Sequence, residues 1–289
     1  MKPSVFSAES AEVDSSEHGL VEGEKKTTCP CGWSNKESGR IVGGEETKIN
    51  EFPFAVALID REKRFQFCGG AIVTQYHVLT AAHCTDNYLY FGRKISVLVG
   101  DHDITKHDTE SSRLIHVDKI VQHSGFEFAF YKYDISLLVL SEKIEFSRFV
   151  GPVCLSHSRL NLEKKYVRIL GWGKTSMEGP SSPVLKKVDL RIVPLEVCSR
   201  HFLHLIPAER KHICTLGTKK GACNGDSGGP VIWLDPETNR YTLVGLVSFG
   251  KVCGGPEPTV HTDVTSYWPW IDYYIKGEHK CRPNLTLLY

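Results

Sequence analysis

Gly221-Ala222-Cys223-Asn224-Gly225-Asp226-Ser227-Gly228-Gly229-Pro230 sets a single serine among four glycines. A serine hydroxyl is a weak nucleophile at its own pKa. It needs a base, an exposed position and donors for the oxyanion it creates. The glycines free the backbone around Ser227 for tight turns and for close approach to another molecule. The amides of Gly225 and Ser227 are then candidates for an oxyanion hole. Asp226, beside the serine, is a carboxylate that needs a positive partner if it is buried. Taken alone, the pattern also suits a glycine-rich turn between strands.

Two other stretches favour the chemical reading. Leu79-Thr80-Ala81-Ala82-His83-Cys84 is an apolar run ending in a histidine, and Tyr133-Asp134-Ile135-Ser136-Leu137-Leu138-Val139-Leu140 puts an aspartate at the head of a strand-like run. With these three motifs the chain resembles the chymotrypsin-like serine proteases, whose His, Asp, Ser order it follows. The nucleophile elbow of an α/β-hydrolase also fits Gly225 to Gly229. That fold, however, places its acid and histidine after the serine, and no alternating βα pattern accompanies the downstream candidates here.

The resemblance implies that His83 is the general base, Asp134 holds its tautomer, and Ser227 attacks the peptide carbonyl. Ser248 matches the residue that hydrogen-bonds the triad aspartate beside the substrate backbone. A catalytically inactive homologue, acting as a binding or regulatory protein, is the competing reading, and three filled triad positions weigh against it.

Composition sets the outer bounds. The 289 residues are 41% apolar, and 35 Lys and Arg stand against 34 Asp and Glu. No basic field points to nucleic acid or an anionic membrane, and no run approaches the roughly 18 apolar residues of a membrane span. The ten cysteines are scattered, with only Cys29 and Cys31 close together, which reads as disulfides made in an oxidising compartment. Met1 to Ala8 lacks the apolar core of a signal peptide, so secretion by way of a leader missing from this sequence is expected.

Residues 1–28 are rich in Ser, Glu and Gly without periodic apolar positions, and are read as disordered. Ser38-Gly39-Arg40-Ile41-Val42-Gly43-Gly44 resembles the family's activation site. Cleavage after Arg40 would free the Ile41 ammonium to fold inward and pair with Asp226, completing the oxyanion hole. Residues 1–40 are thus read as a disulfide-anchored propeptide, 41–276 as the protease domain and 277–289 as a tail.

Short apolar runs at Phe54–Ile59, Ala71–Thr74, Ile95–Val99, Ile135–Leu140, Val167–Gly171, Val188–Val193, Val231–Leu234 and Tyr241–Phe249 indicate an all-β barrel or sandwich. The resemblance implies two antiparallel six-stranded barrels, one over about 41–150 and one over about 151–265, packed at right angles with the active site between them. Two helices are expected, around Leu195–His201 and from about Ser266 to Ile275, the second capped by Ser266 with Pro269 in its first turn. Family pairing suggests the disulfides Cys68–Cys84, Cys198–Cys214 and Cys223–Cys253, and Cys154 with Cys29 or Cys31. Cys281 is left for the other. One common bridge is lost on both sides, to Val167 and Trp233.

The resemblance also locates the pocket for the residue before the cleaved bond (P1). Its floor is Gly221, where an aspartate would select Arg or Lys, and its walls are Gly250 and Thr259. Without a carboxylate the pocket should take an uncharged, apolar P1 residue rather than a trypsin-like cation. His261 stands where the family usually has tyrosine. An enzyme of this kind would not cut after its own Arg40, so a separate trypsin-like activator is implied. Protein or peptide substrates, serpin-type inhibitors and a monomeric state are implied too. Gly100-Asp101-His102-Asp103 with Glu110 resembles the family's calcium loop, but the acid spacing differs. A solvated acidic loop is expected, with no metal or cofactor. Asn284-Leu285-Thr286 is a glycosylation sequon. The short propeptide with its close cysteine pair resembles that of arthropod secreted and venom proteases.

Overall fold

Alternating and continuous apolar runs build almost the whole molecule from short strands. A computed structural model describes residues 30–35, 45–106, 109–217, 220–236 and 238–276. A two-residue strand, β1 (Glu45–Glu46), leads in. The first barrel follows: β2 (Ala55–Asp60), β3 (Gln66–Ile72), β4 (His77–Thr80), β5 (Ile95–Val99), β6 (Arg113–Gln122) and β7 (Ser136–Leu140). It closes in the order β2-β3-β4-β7-β6-β5, every pairing antiparallel. Val56, Leu58, Ile72, Leu79, Val97, Leu137 and Leu138 fill it and are wholly buried.

A short strand, β8 (Cys154–Leu155), leads into the second barrel: β9 (Tyr166–Gly171), β10 (Lys186–Val193), β11 (His212–Leu216), β12 (Pro230–Asp235), β13 (Arg240–Phe249) and β14 (Thr259–Asp263). These pair as β10-β11-β14-β13-β12-β9, and β9 returns to β10, so this sheet is also a closed ring of six. β1 adds to β10, and β8 runs parallel to β13. The expected pair of six-stranded barrels is present.

Local readings differ in informative ways. β3 starts at Gln66, five residues before the expected run, because Gly69 and Gly70 break the apolar pattern. A Cβ at Gly69 would lie 2.9 Å from Gly229 Cα, so the loop of the candidate nucleophile comes too close for a side chain. The helix at Leu195–His201 (α2) forms with the expected limits. A helix the sequence reading did not anticipate, α1 (Ala82–Phe91), carries His83 in its first turn and ends at Gly92 in the left-handed conformation. The C-terminal helix α3 begins at Trp268, two residues late, after a 3-10 turn over Val264–Tyr267. Ser266 is not its cap. Its Oγ donates to Arg210 O and Asp263 Oδ2, and it is Asp263 that caps the turn by accepting from the Thr265 amide. Among the described residues no helix is long and apolar enough to cross a membrane.

The segment before the first barrel is tied to the second. Cys31 is bonded to Cys154, the Gly32 amide donates to Pro152 O, and Gly32 O accepts from the Tyr241 amide. Cys29 and Cys281 lie outside the described residues, but Cys31 is the partner that Cys154 takes. The disulfides Cys68–Cys84, Cys198–Cys214 and Cys223–Cys253 are all formed. Where the further bridge is missing, Val167 and Trp233 pack in one apolar cluster, so contact replaces the covalent link.

Candidate active site

β4 delivers its chain end directly into α1, which holds His83 at the rim of the first barrel with its side chain 13% exposed. Asp134 stands just before β7 and is completely buried. Its Oδ2 is 2.8 Å from His83 Nδ1, and its Oδ1 accepts from the His83 backbone amide at 2.8 Å. Ser248, near the end of β13, donates to the same Oδ2 at 2.5 Å, and Thr262 Oγ1 donates to the Asp134 carbonyl. Burial by itself would raise this carboxyl. The His83 charge and the hydrogen bonds from His83 and Ser248 outweigh that, and hold it below the usual carboxylate range. An ionised Asp134 fixes the proton on Nδ1 and leaves the Nε2 lone pair to take a proton from a nucleophile.

Ser227 is partly exposed and is brought to the first barrel by its own backbone. Its carbonyl accepts from the Gly69 amide at 2.8 Å, one residue from Cys68, which is bonded to Cys84 beside His83. Gly225 (φ +98°) and Gly228 (φ +71°) take left-handed backbone, and a Cβ at Gly228 would collide with Thr80 Oγ1. Among the described residues no hydrogen bond joins Ser227 Oγ to His83 Nε2, which lies 3.8 Å from Cys84 Sγ.

The amides of this loop divide into two sets. Those of Asp226, Gly228 and Gly229 donate to Cys223 O, Val247 O and Asp226 O. Those of Gly225 and Ser227 donate to nothing among the described residues, which leaves them for an oxyanion. Gln66, a residue not anticipated from the sequence, holds the Gly225 peptide: its Nε2 donates to Gly225 O at 2.8 Å and to Cys68 O at 3.0 Å. Its only local signal is a polar side chain opening an otherwise apolar strand.

Asp226 turns away from the serine. Its Oδ1 accepts from the Gly173 amide at 2.7 Å and its Oδ2 from the Cys223 amide at 2.8 Å. The carboxylate fills the space a Cβ would need at Gly171 and Gly173. Lost hydration pushes it up to about 6, against the pull of those two amides. No cation pairs with it among the described residues. Arg40 and Ile41 lie outside them.

Gly221, Gly250 and Thr259 do come together. A Cβ on Gly221 would lie 3.2 Å from Gly254 N and 3.8 Å from Thr259 Oγ1, and one on Gly250 3.6 Å from Thr259 Cγ2. The Cys223–Cys253 disulfide ties the segments carrying them. None of these residues is acidic. His261, on the same face of β14 as Thr259, is wholly buried with Nε2 2.7 Å from Thr215 Oγ1, and burial pushes it down to about 3, so it adds no charge.

Aromatic rings border the site on one side, with Tyr131 edge-on to His83 at 5.3 Å and Phe249 against Tyr131 at 5.1 Å. A separate cavity of about 520 Å³, lined by Arg159, Leu162, Ile192, Leu195 and Asp263, contains no triad residue. In the acidic loop, Asp101 accepts from Ser112 Oγ, Asp103 is engaged by Lys106 and Thr105, and Glu110 is exposed. Cys68, His83 and Cys84 are the one close group of metal-binding residue types among the described residues, but both sulfurs are spent in their disulfide.

Comparison with known proteins bears on the same residues. The trypsin family pattern matches residues 41–271. The chain is 38% identical over 267 residues to a venom serine protease of Polistes dominula, covering 90% of this chain and 93% of that one. It is 35% identical over 254 residues to venom serine protease 34 of Apis mellifera, spanning 85% of this chain and 60% of the relative. It is also 35% identical over 254 residues to the proclotting enzyme of Tachypleus tridentatus, spanning 83% and 68%.

Proposed function

The chain belongs to the trypsin family and is a serine endopeptidase, and from that premise we propose that it is an extracellular protease made as an inactive precursor. Residues 1–40 act as the propeptide, residues 41–276 as the protease domain and 277–289 as a tail. Cleavage after Arg40 switches the enzyme on, and the active form cuts after uncharged, apolar residues. The single observation that carries the precursor reading is the Asp226 carboxylate, held by two amides and, among the described residues, by no cation. A freed Ile41 ammonium would supply the charge it lacks, and a buried carboxylate gains most from a partner that is both charged and hydrogen-bonded.

In the active form His83 takes the Ser227 proton as the hydroxyl attacks, and Asp134 stabilises the imidazolium. The amides of Gly225 and Ser227 receive the negative charge on the former carbonyl oxygen. The proton then passes to the leaving amine, and water repeats the sequence on the acyl-enzyme. The Gly221 floor supports the apolar P1 preference, since a buried substrate cation would find no carboxylate there. Such an enzyme does not cut after its own Arg40, so a trypsin-like protease acts upstream. The proclotting enzyme of Tachypleus and the venom proteases support protein substrates and a place in a protease sequence.

Three samples test this against a peptide library: uncleaved protein, protein cut after Arg40, and cut Ser227→Ala protein. Hydrolysis after Leu, Met, Phe or Tyr in the cut wild type alone is the expected result. Hydrolysis after Arg or Lys would overturn the pocket reading, and equal activity before and after cutting would overturn the precursor reading.

A further inference from the structure

With 35 cationic against 34 acidic side chains, the chain has almost no net charge to spend on any one face. Yet two segments far apart in sequence collect five cations. Arg61, Lys63 and Arg64 lie in the turn between β2 and β3, and Arg93 and Lys94 follow α1. The Arg61 amide donates to Lys94 O at 3.2 Å, and Asp60 pairs with Ile95, so the segments are neighbours. Glu62 is the one acid within them. Among the described residues none of the five cations forms an ion pair with a carboxylate.

The turn is built rather than loose. Asp60 Oδ1 accepts from the amides of Glu62 and Lys63, and its Oδ2 accepts from Tyr88 Oη of α1. Arg64 is held at φ +53°, where glycine or asparagine sits more easily. Apolar surface is exposed beside the charges: Tyr90 is 82%, Phe91 61% and Phe65 47% exposed, and the Arg93 guanidinium lies 5.4 Å from the Phe91 ring. Cations interleaved with exposed aromatic rings describe a binding surface better than a solvated one.

Both segments run straight into the catalytic residues. Gln66, which holds the Gly225 peptide, follows the turn directly, and α1 carries His83 at its other end. We propose that this surface is a docking site for an acidic segment, bearing an aromatic or leucine side chain, of the protein substrate. The site would draw that segment in electrostatically and hold the chain across the catalytic residues. The inference rests on the protease reading above for its consequence, but not for the binding itself.

Binding is therefore measured first, on Ser227→Ala protein cut after Arg40, with a fluorescent peptide of about a dozen residues rich in Asp and Glu and containing one Phe. Arg61→Gln, Lys63→Gln and Arg64→Gln together should weaken it at least about tenfold at about 50 mM salt, and about 0.5 M salt should erase the difference. Equal affinity for both proteins would overturn the proposal. So would a sulfated polysaccharide or anionic vesicles binding the same cations while the peptide does not.

Catalysis is read second, on active protein. The triple variant should keep its kcat/KM on a short apolar-P1 peptide within about twofold. On the same peptide extended by the acidic segment it should lose about tenfold. Peptide binding that depends on the three cations, in a protein that hydrolyses neither substrate, would keep the surface and overturn the apolar-P1 reading instead.

Discussion

One carboxylate fixes His83 at two points: Asp134 Oδ1 takes its backbone amide and Oδ2 its ring Nδ1, each at 2.8 Å. Ring and helix start are thereby locked together, so the imidazole cannot turn without disturbing α1. Asp134→Asn would present an amide where an ionised acceptor is required and would favour the wrong tautomer. The expected outcome is a fall in kcat of about ten-thousandfold, the size known for this change in the chymotrypsin-type triad, with an unaltered circular dichroism spectrum.

Gln66→Ala leaves both barrels intact but frees the Gly225 carbonyl from its side-chain donor. If the Gln66 contact orients the oxyanion amides, kcat should drop by about 10- to 100-fold with KM little changed. Gln66→Glu, which offers an acceptor in place of the donor, should be at least as poor. A change confined to KM would remove Gln66 from the machinery.

Asp226 makes the stability of the uncleaved chain depend on pH. Its carboxyl is pushed up to about 6, against about 3.9 in an unfolded chain, so between these values the folded state holds a proton that the unfolded state has shed. Stability from this group is present at low pH and is lost as pH rises from about 4 through about 6. Urea unfolding of uncleaved Ser227→Ala protein, with and without Asp226→Asn, should differ in slope across that window, by roughly 2 to 3 kcal/mol at most. After cleavage the Asp226→Asn protein should be inactive on every peptide.

A carboxylate placed at Gly221 should reverse the proposed apolar preference. Gly221 has ordinary backbone, and the three atoms nearest a Cβ there belong to Gly254 and Thr259, at 3.2 Å or beyond. Gly221→Asp is therefore expected to fold, to gain cleavage after Arg and Lys, and to lose at least about tenfold on apolar P1 substrates. Parallel kinetics on two peptides that differ only at P1 decide it.

Removing the bridge beside the histidine tests its bracing role. Cys68 and Cys84 are 16 residues apart, and opening such a loop costs roughly 3 kcal/mol in the chain-entropy account. Cys68→Ala with Cys84→Ala should unfold at lower denaturant. It should also lose activity under conditions where it is still folded, because Gly69, one residue along, holds the Ser227 carbonyl. Cys198→Ala with Cys214→Ala, closing a loop of the same length away from the triad, serves as the comparison: similar destabilisation with activity kept.

Much of the site was legible because each part is a local pattern. A serine among glycines, a histidine after an apolar run and an aspartate heading a strand each state a chemical need within a few residues. The strand runs gave the all-β class for the same reason, since apolar alternation is a property of neighbours in sequence; the two closed barrels were implied by the family resemblance. Where the pattern was interrupted, legibility stopped. Gly69 and Gly70 hid the start of β3, and α1 was missed because it has a weak apolar face and follows directly on a strand. Ser266 looked like a cap by residue type, yet Asp263 reached the free amide first.

The sequence by itself determined which side chains could do chemistry: His83, Asp134, Ser227, the uncharged pocket residues and the cysteine set. Only the tertiary structure decided what they meet. His83 and Asp134 are 51 residues apart, Ser248 and Asp134 114, and Gln66 and Gly225 159. The same closure chose Cys31 for Cys154, put Asp226 between two amides, and laid Arg61 against Lys94. The reason is physical. A local pattern records what one residue needs, whereas its partner is set by how two closed barrels bring distant strand ends to the same place.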